Sequence, residues 1–290
     1  MPGKAPVPSS LLILRQQFRT TRTCLQCLPN GHFCHASDWL STIEPGLTIA
    51  MRGSAKPEDL VPGPSVQRMF TAIAPRYDLL NHLLSLNRDR SWRRRAVDLL
   101  LANAPPDGRY LDSCAGTLDL SVEIARRRSF RGDVLATDFS YAMLQTGSSK
   151  RKGLQINTAC ADALRQPFAD ASFDGAIVGF GVRNLTSIDD GFAEFARLIR
   201  PGGRLVVLEF TTPGWQPFRS LYLFYFRRLL PLIGRIISRH GTAYSYLPES
   251  VLRFPEPAEL ARRLERAGFR DVVWENYTAG IVAAHVGTRV

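Results

Sequence analysis

Lysine is nearly absent from this 290-residue chain: of 37 basic residues only Lys4, Lys56, Lys150 and Lys152 are lysines, leaving 33 arginines. The net charge of +11 is therefore carried by planar guanidinium forks, which suit phosphate and lipid headgroups. A GC-rich coding sequence accounts for the excess equally well. Cysteine is scarce and odd in number: Cys24, Cys27, Cys34, Cys114 and Cys160. That excludes a disulfide framework and fits a reducing compartment. Long apolar runs are missing too. The most apolar stretch, 221–237, is broken by Arg227, Arg228 and Arg235, so no transmembrane helix is expected. There is no G-x-G-x-x-G; Gly116 stands alone in its turn, which disfavours a dinucleotide pyrophosphate on a helix N-terminus.

What is present is an ordinary globular composition, 45% hydrophobic and 22% charged. Residues 1–60 show no sustained periodicity and no acid before Asp38. Three readings compete for them: a mitochondrial transit peptide carrying Arg15, Arg19 and Arg22, a secretory signal, whose longer apolar core after the basic end is missing, and, favoured, an upstream over-extension of a chain that starts at Met51, with a targeting or disordered tail as the remainder. Cys24 and Cys27, followed by His32, Cys34 and His35, are too tightly spaced for a usual zinc finger, and no metal is expected. Residues 61–290 read as one domain with an insertion at 212–254.

Within that domain strands and helices alternate. Val66, Met69, Phe70 and Ile73 recur at helical spacing up to Pro75, and Leu79 to Leu84 and Trp92 to Leu100 form two further stripes. Strand-like runs lie at Tyr110 to Asp112, Val134 to Asp138, Gln155 to Cys160, Phe173 to Val178 and Leu205 to Phe210. A helix from Phe192 through Ile199 should end at Pro201-Gly202-Gly203, and another runs from Pro257 to Ala267. Residues 272–277 and 281–286 could close as a hairpin. This alternation predicts an open, mostly parallel α/β sheet covered on both faces, with its ligand site at the carboxyl ends of the strands.

Chemistry-bearing residues cluster at those ends. The turn around Gly116 and Thr117 follows strand one, and Asp138 ends strand two, 22 residues after Gly116. There it can accept hydrogen bonds from both hydroxyls of a ribose. Asp162 and Ala163 follow strand three, and Gly179 ends strand four just before Arg183 and Asn184. Together they outline a nucleoside-shaped site. Without a pyrophosphate to hold, the cofactor indicated is S-adenosylmethionine. Simpler roles compete: helix capping for Asp112 and Asp119, a solvated strand end for Asp138, a salt bridge for Arg183.

Several segments together resemble one family. Phe70-Thr71-Ala72-Ile73-Ala74-Pro75-Arg76-Tyr77-Asp78-Leu79-Leu80-Asn81 with Trp92-Arg93-Arg94, then Phe180-Gly181-Val182-Arg183-Asn184-Leu185, Arg200-Pro201-Gly202-Gly203, Leu208-Glu209-Phe210, Tyr246-Leu247-Pro248-Glu249-Ser250-Val251 and Tyr277-Thr278-Ala279-Gly280 resemble the UbiE/MenG quinone C-methyltransferases, in order, from Val66 to Val286. The resemblance implies a class I, Rossmann-like S-adenosylmethionine-dependent fold: a seven-stranded, mostly parallel sheet whose last strand is antiparallel, with helices on both faces. It implies cofactor positions at Gly116, Thr117, Asp138, Asp162, Ala163 and Gly179. Two residues depart from the family pattern. Leu118 stands where glycine is usual and would crowd the cofactor or shift the turn; Gly179 stands where serine is frequent, so a side-chain hydrogen bond is lost.

The implied substrate is a polyprenyl quinol, demethylmenaquinol ahead of a ubiquinone precursor. Arg183, beside Asn184, is the first choice for holding a phenolate oxygen, and Tyr77, Asp78, His240 and Tyr246 are the expected substrate residues. Structural roles compete for two of them, core packing for Tyr77 and plain surface exposure for His240. Residues 218–238 interleave aromatics with arginines, as a segment lying in a membrane interface does; a cap helix or a homo-oligomer contact explains them equally. No nucleic-acid module accompanies them. The expected location is the cytoplasm or the inner membrane face, or the mitochondrial matrix if the first sixty residues are a transit peptide. Two other functions compete: methylation of another lipid or small molecule, and a non-catalytic cofactor-binding subunit.

Overall fold

The computed structural model describes residues 63–74, 77–225, 228 and 241–290. The expectations for residues 1–60, including the cysteine–histidine cluster and Met51, lie outside the described residues. So do His240 and most of 226–240.

Among the described residues three helices lead into the sheet: α1 (Gly63–Ile73), α2 (Tyr77–Leu84) and α3 (Arg88–Leu101). Then come β1 (Arg109–Ser113), α4 (Asp119–Ala125), β2 (Asp133–Asp138), α5 (Tyr141–Gly147), β3 (Ile156–Cys160), β4 (Phe173–Gly179), α6 (Ile188–Leu198) and β5 (Ile199–Phe210). After them lie α7 (Gln216–Phe224), α8 (Gly241–Arg253), α9 (Pro257–Arg266), β6 (Phe269–Tyr277) and β7 (Val282–Arg289). Among the described residues no helix is long and apolar enough to cross a membrane.

The seven strands form one sheet in the order β3-β2-β1-β4-β5-β7-β6. β1 to β5 are parallel, and β7 runs antiparallel to both β5 and β6. The expected hairpin forms, but β7 wedges between β5 and β6, so the later strand is the interior one. Period-two alternation splits the core between the two faces. Tyr110, Ile177, Val206 and Leu208 pack under α3, α4 and α5, with Trp92, Leu100, Ile124 and Leu144. Leu111, Val178, Leu205 and Val207 pack against Phe192, Phe195, Leu260 and Leu264 of α6 and α9. These side chains are almost wholly removed from water, each worth roughly 1.5–3 kcal/mol.

Helix α6 ends at Leu198, before the expected Pro201. Ile199 already pairs with Phe173, and a register shift absorbs Arg200 to Gly203. Gly202, at φ +83°, takes the left-handed turn that a side chain would strain. Strand order reverses at β1, which lies between β2 and β4. That reversal opens the crevice where ligands bind in such sheets.

Candidate active site

The β1–α4 turn is built around Asp138. Its two carboxylate oxygens accept the N–H of Gly116 at 2.9 Å and of Ser140 at 2.8 Å, tying the β1–α4 turn to the end of β2. Burial pushes this carboxyl up to about 6, against the pull of the two backbone N–H groups. A carboxylate has about four acceptor sites, so two remain for a sugar diol. Gly116 sits at φ +53°, and a Cβ there would meet only Met143 Cε at 3.3 Å and Tyr77 Cε1 at 4.0 Å. The turn is therefore open on its ligand side, and its residues fit a nucleoside cofactor.

Leu118 adopts φ +70° as the residue before α4, a left-handed conformation that costs an L-residue about 1–2 kcal/mol. Its side chain is fully buried in the core beside Leu144. The side chain points inward to the core, and the backbone takes the left-handed conformation that glycine adopts freely. Gly147 makes room for it. A Cβ at Gly147 would lie 2.5 Å from the Thr117 carbonyl oxygen and 2.8 Å from Leu118 Cγ. Gly147→Ala should displace the turn, weakening cofactor binding about tenfold and costing about 1–3 kcal/mol. Isothermal titration and urea unfolding would measure the two effects, and unchanged cofactor affinity would mean the turn does not feel this contact.

Asp112, fully buried at the end of β1, accepts from the Ser121 hydroxyl at 2.5 Å through Oδ2 and also from the Ser121 backbone. That ties β1 to the first turn of α4. Its Oδ1 has no partner, and burial raises its pKa to about 7. Asp119 is no cap: it pairs with Lys150 at 2.6 Å and Arg93 at 3.3 Å. Asp162 accepts the Leu164 N–H at 2.9 Å through its own side chain. Ala163 packs into the core behind it, and the Ala161 N–H donates to the Asp138 carbonyl at 3.1 Å. Asp162 thus stands next to the β1–α4 turn with one oxygen engaged. At Gly179 a Cβ would come within 2.5 Å of Leu120 Cδ1, so Leu120 occupies the space a serine side chain would need.

Beside this turn lies a cavity of about 550 Å³, mostly apolar. Met69, Phe70, Trp92, Phe180, Phe210 and Ile281 supply much of its wall. Tyr77 joins the two spaces. It lines the cavity, approaches Gly116, and stacks edge-on with Phe70 at 6.1 Å. Burial raises its pKa, opposed by a hydrogen bond with Asn81 and by the Arg183 and Arg93 charges.

Asp78 does not face that cavity. It holds the β1–α4 turn, accepting the Thr117 hydroxyl at 2.5 Å and pairing with Lys150 at 2.6 Å. One helix, α2, thereby carries both a cavity wall and a clasp on the turn.

Arg183 follows β4 and lines the cavity. Its Nη1 donates to Glu209 Oε1 at 2.5 Å and to the Phe180 carbonyl at 2.6 Å. Its guanidinium lies 5.4 Å from the Phe210 ring centre. Side-chain exposures of 6% and 2% make this a buried ion pair, and Arg183 Nε has no partner. The salt-bridge reading and the site reading are thus compatible. Asn184 accepts the Tyr246 hydroxyl at 2.9 Å, bringing α8 to the same wall. Arg183, Asn184, Tyr77 and Tyr246 are therefore together, while Asp78 sits on the Thr117 turn.

Sequence reading missed Glu209, Asp89 and Lys150. Glu209 was signalled weakly, as an acid inside an apolar strand. A second polar group on the cavity wall is Asp89, 2% exposed. It accepts from Ser85 at 2.7 Å and His82 Nδ1 at 2.8 Å and is paired with Arg93. Among the described residues no cluster could hold a metal.

Comparison with known proteins agrees with this architecture. The family model described as "ubiE/COQ5 methyltransferase family" matches residues 58–289. The chain is 46% identical over 223 residues to the demethylmenaquinone methyltransferase of Thermus thermophilus, covering 76% of this chain and all of the relative. It is 44% identical to the enzyme of the same name from Deinococcus radiodurans, over 78% of this chain and 93% of the relative. It is 40% identical to the ubiquinone/menaquinone biosynthesis C-methyltransferase UbiE of Geotalea daltonii, over 78% and 97%. Among solved structures, an S-adenosylmethionine-dependent methyltransferase from Thermotoga maritima superposes with a TM-score of 0.53 over 77% of this chain and 99% of that one, at 18% identity, which supports the fold alone. On the extent of these matches, the chain belongs to the ubiE/COQ5 methyltransferase family.

Proposed function

We propose that this chain transfers a methyl group from S-adenosylmethionine to a ring carbon of a reduced polyprenyl quinone, demethylmenaquinol ahead of the ubiquinone precursor. The observation that carries the reading is the 550 Å³ apolar cavity holding the buried Arg183 and joined by Tyr77 to the Asp138–Gly116 turn. The relatives from Thermus and Deinococcus are named for demethylmenaquinone, which favours that acceptor.

Gly116, Thr117, Asp138, Asp162 and Ala163 would hold the cofactor. When bound, S-adenosylmethionine supplies a methyl group made electrophilic by the sulfonium. The chain's own residues do the rest. Trp92, Phe180 and Phe210 exclude water and fix the plane of the ring. Arg183 stabilises the negative charge that grows on a ring oxygen as its proton leaves to solvent, making the carbon ortho to it nucleophilic; once the methyl has been transferred, the hydrogen on that carbon is lost as a proton and the ring oxygen regains one. Glu209 fixes the guanidinium and keeps the buried charge paired. Asn184 and Tyr246 close the wall next to it.

The rim supports a membrane-borne substrate. Tyr222 and Tyr225 face the cavity, while Trp215, Leu221 and Phe224 of the same segment are 70%, 64% and 59% exposed. Arg228 is exposed just beyond them. We read this as a peripheral contact that lets a prenyl tail pass from lipid into the cavity.

The test is transfer of labelled methyl from S-adenosylmethionine to dithionite-reduced demethylmenaquinone, by the full-length chain, with the quinol in anionic vesicles. Methylated menaquinol is the expected product, with the protein sedimenting with the vesicles. No product in a folded, cofactor-binding protein would remove this acceptor. Turnover undiminished in Trp215→Ser/Phe224→Ser, with sedimentation intact, would remove the membrane contact.

A further inference from the structure

We propose that Asp89 makes the cavity select the reduced ring over the oxidised one, by accepting a hydrogen bond from the ring hydroxyl. The proposal rests on the quinol reading above and adds a residue that determines the redox state taken up.

Asp89 lies in the first turn of α3, one turn before Trp92 and Arg93, and is the carboxylate on the wall of an otherwise mainly apolar cavity. Among the described residues three donors reach it. Ser85 Oγ donates to Oδ1 at 2.7 Å; His82 Nδ1, at 2.8 Å, and Arg93 Nη1 engage Oδ2. Three of about four acceptor sites are thereby used, and one is left to a ligand. Arg93 does not neutralise the site by itself, because the same Nη1 also reaches Asp119 at 3.3 Å. Burial works against the ionised form, but the Ser85 hydrogen bond and the Arg93 and His82 interactions outweigh it and hold the pKa below the ordinary value. At neutral pH the group is an acceptor with no proton to donate.

The two redox forms of the ring differ in this respect. A hydroquinone oxygen carries a hydrogen and can donate. A quinone oxygen can only accept, and facing a buried carboxylate it would leave both acceptors unpaired. Such mismatches discriminate far more sharply than a change in apolar contact. Asp89 and Arg183 both line this one cavity, with Tyr77 between its wall and the Gly116 turn. Arg183 can then take the oxygen that becomes anionic while Asp89 takes the one that keeps its proton. Only the reduced ring satisfies both. Selection at this point matches the chemistry, because only the reduced ring is electron-rich enough to accept a methyl cation equivalent.

The test is anaerobic equilibrium dialysis of the full-length chain against 1,4-naphthoquinone and against the same compound kept reduced with dithionite. The wild type should bind the reduced ring at least tenfold more tightly. Asp89→Asn, whose amide can donate as well as accept, should bring the two affinities within about threefold. Ser85→Ala, which leaves the carboxylate in place, should keep the preference. Equal affinities in the wild type would overturn the proposal with no variant needed. An undiminished preference in folded Asp89→Asn would overturn it as well. Binding is read without turnover. A chain that discriminates the rings but methylates no quinol would thus overturn the reaction while leaving the discrimination standing.

Discussion

Replacing Arg183 by methionine should lower single-turnover methyl transfer about 100-fold to 1,000-fold, the usual cost of losing a charge-stabilising donor in a dry site. It should also lower stability by about 3–5 kcal/mol, because Glu209, 2% exposed, would be left buried without its cation. The two losses have different causes, and a second variant separates them. Arg183→Met/Glu209→Gln removes the orphaned charge, so urea unfolding should return most of the stability. Turnover should stay low, since the group that holds the ring oxygen is still missing. Cofactor affinity should change little in both, because among the described residues the hydrogen bonds and ion pair of Arg183 go to Phe180 and Glu209, not to the Gly116 turn or Asp138. Recovery of turnover together with stability in the double variant would reduce Arg183 to a structural partner of Glu209.

Cofactor affinity should rise about tenfold per pH unit below about pH 6 and level off above it, with Asp138 as the group responsible. Burial raises its pKa to about 6 from 3.8, and the ionised form is the one that accepts two ribose hydroxyls. The stability of the cofactor-free protein should move the opposite way. A carboxyl whose folded pKa is raised binds its proton more tightly when folded, so the folded state is favoured at low pH. That advantage is lost as pH rises from 3.8 through the folded value. Asp112, raised to about 7, adds to the same trend. The two together should remove several kcal/mol between about pH 4 and pH 7. Titration calorimetry with S-adenosylmethionine and urea unfolding across that range would show the two opposed slopes. Asp138→Asn should flatten the binding profile and weaken binding about 100-fold, the scale of two charge-assisted hydrogen bonds. A pH-independent affinity in the wild type would take the ribose role away from Asp138.

The sheet was legible because its cause is local. Each strand's alternation is written in neighbouring residues, as in Leu205 to Leu208, and each helix repeats its apolar positions every three to four. Gly116 and Asp138 were legible because strand ends converge whenever parallel strands lie side by side. Leu118 shows where this stops. Its departure from glycine was visible, but whether the side chain entered the cleft or the core depended on Gly147, 29 positions away in the chain. Gly179 is similar: Leu120 across the turn occupies the space a serine would need. The end of α6 fell earlier than Pro201 because pairing of Ile199 with Phe173 outweighed the local helix pattern.

By itself, the sequence determined an α/β sheet, the acid at the end of β2, the lone glycine turn and the arginine after β4. These follow from spacing and from the handedness of parallel connections. Tertiary structure alone decided the pairings across distant segments: Glu209 behind Arg183, Tyr246 on Asn184, Asp78 on Thr117, and Asp89 on the cavity wall. A buried polar group takes whichever partner the packed fold brings within about 3 Å, and no local pattern encodes that distance.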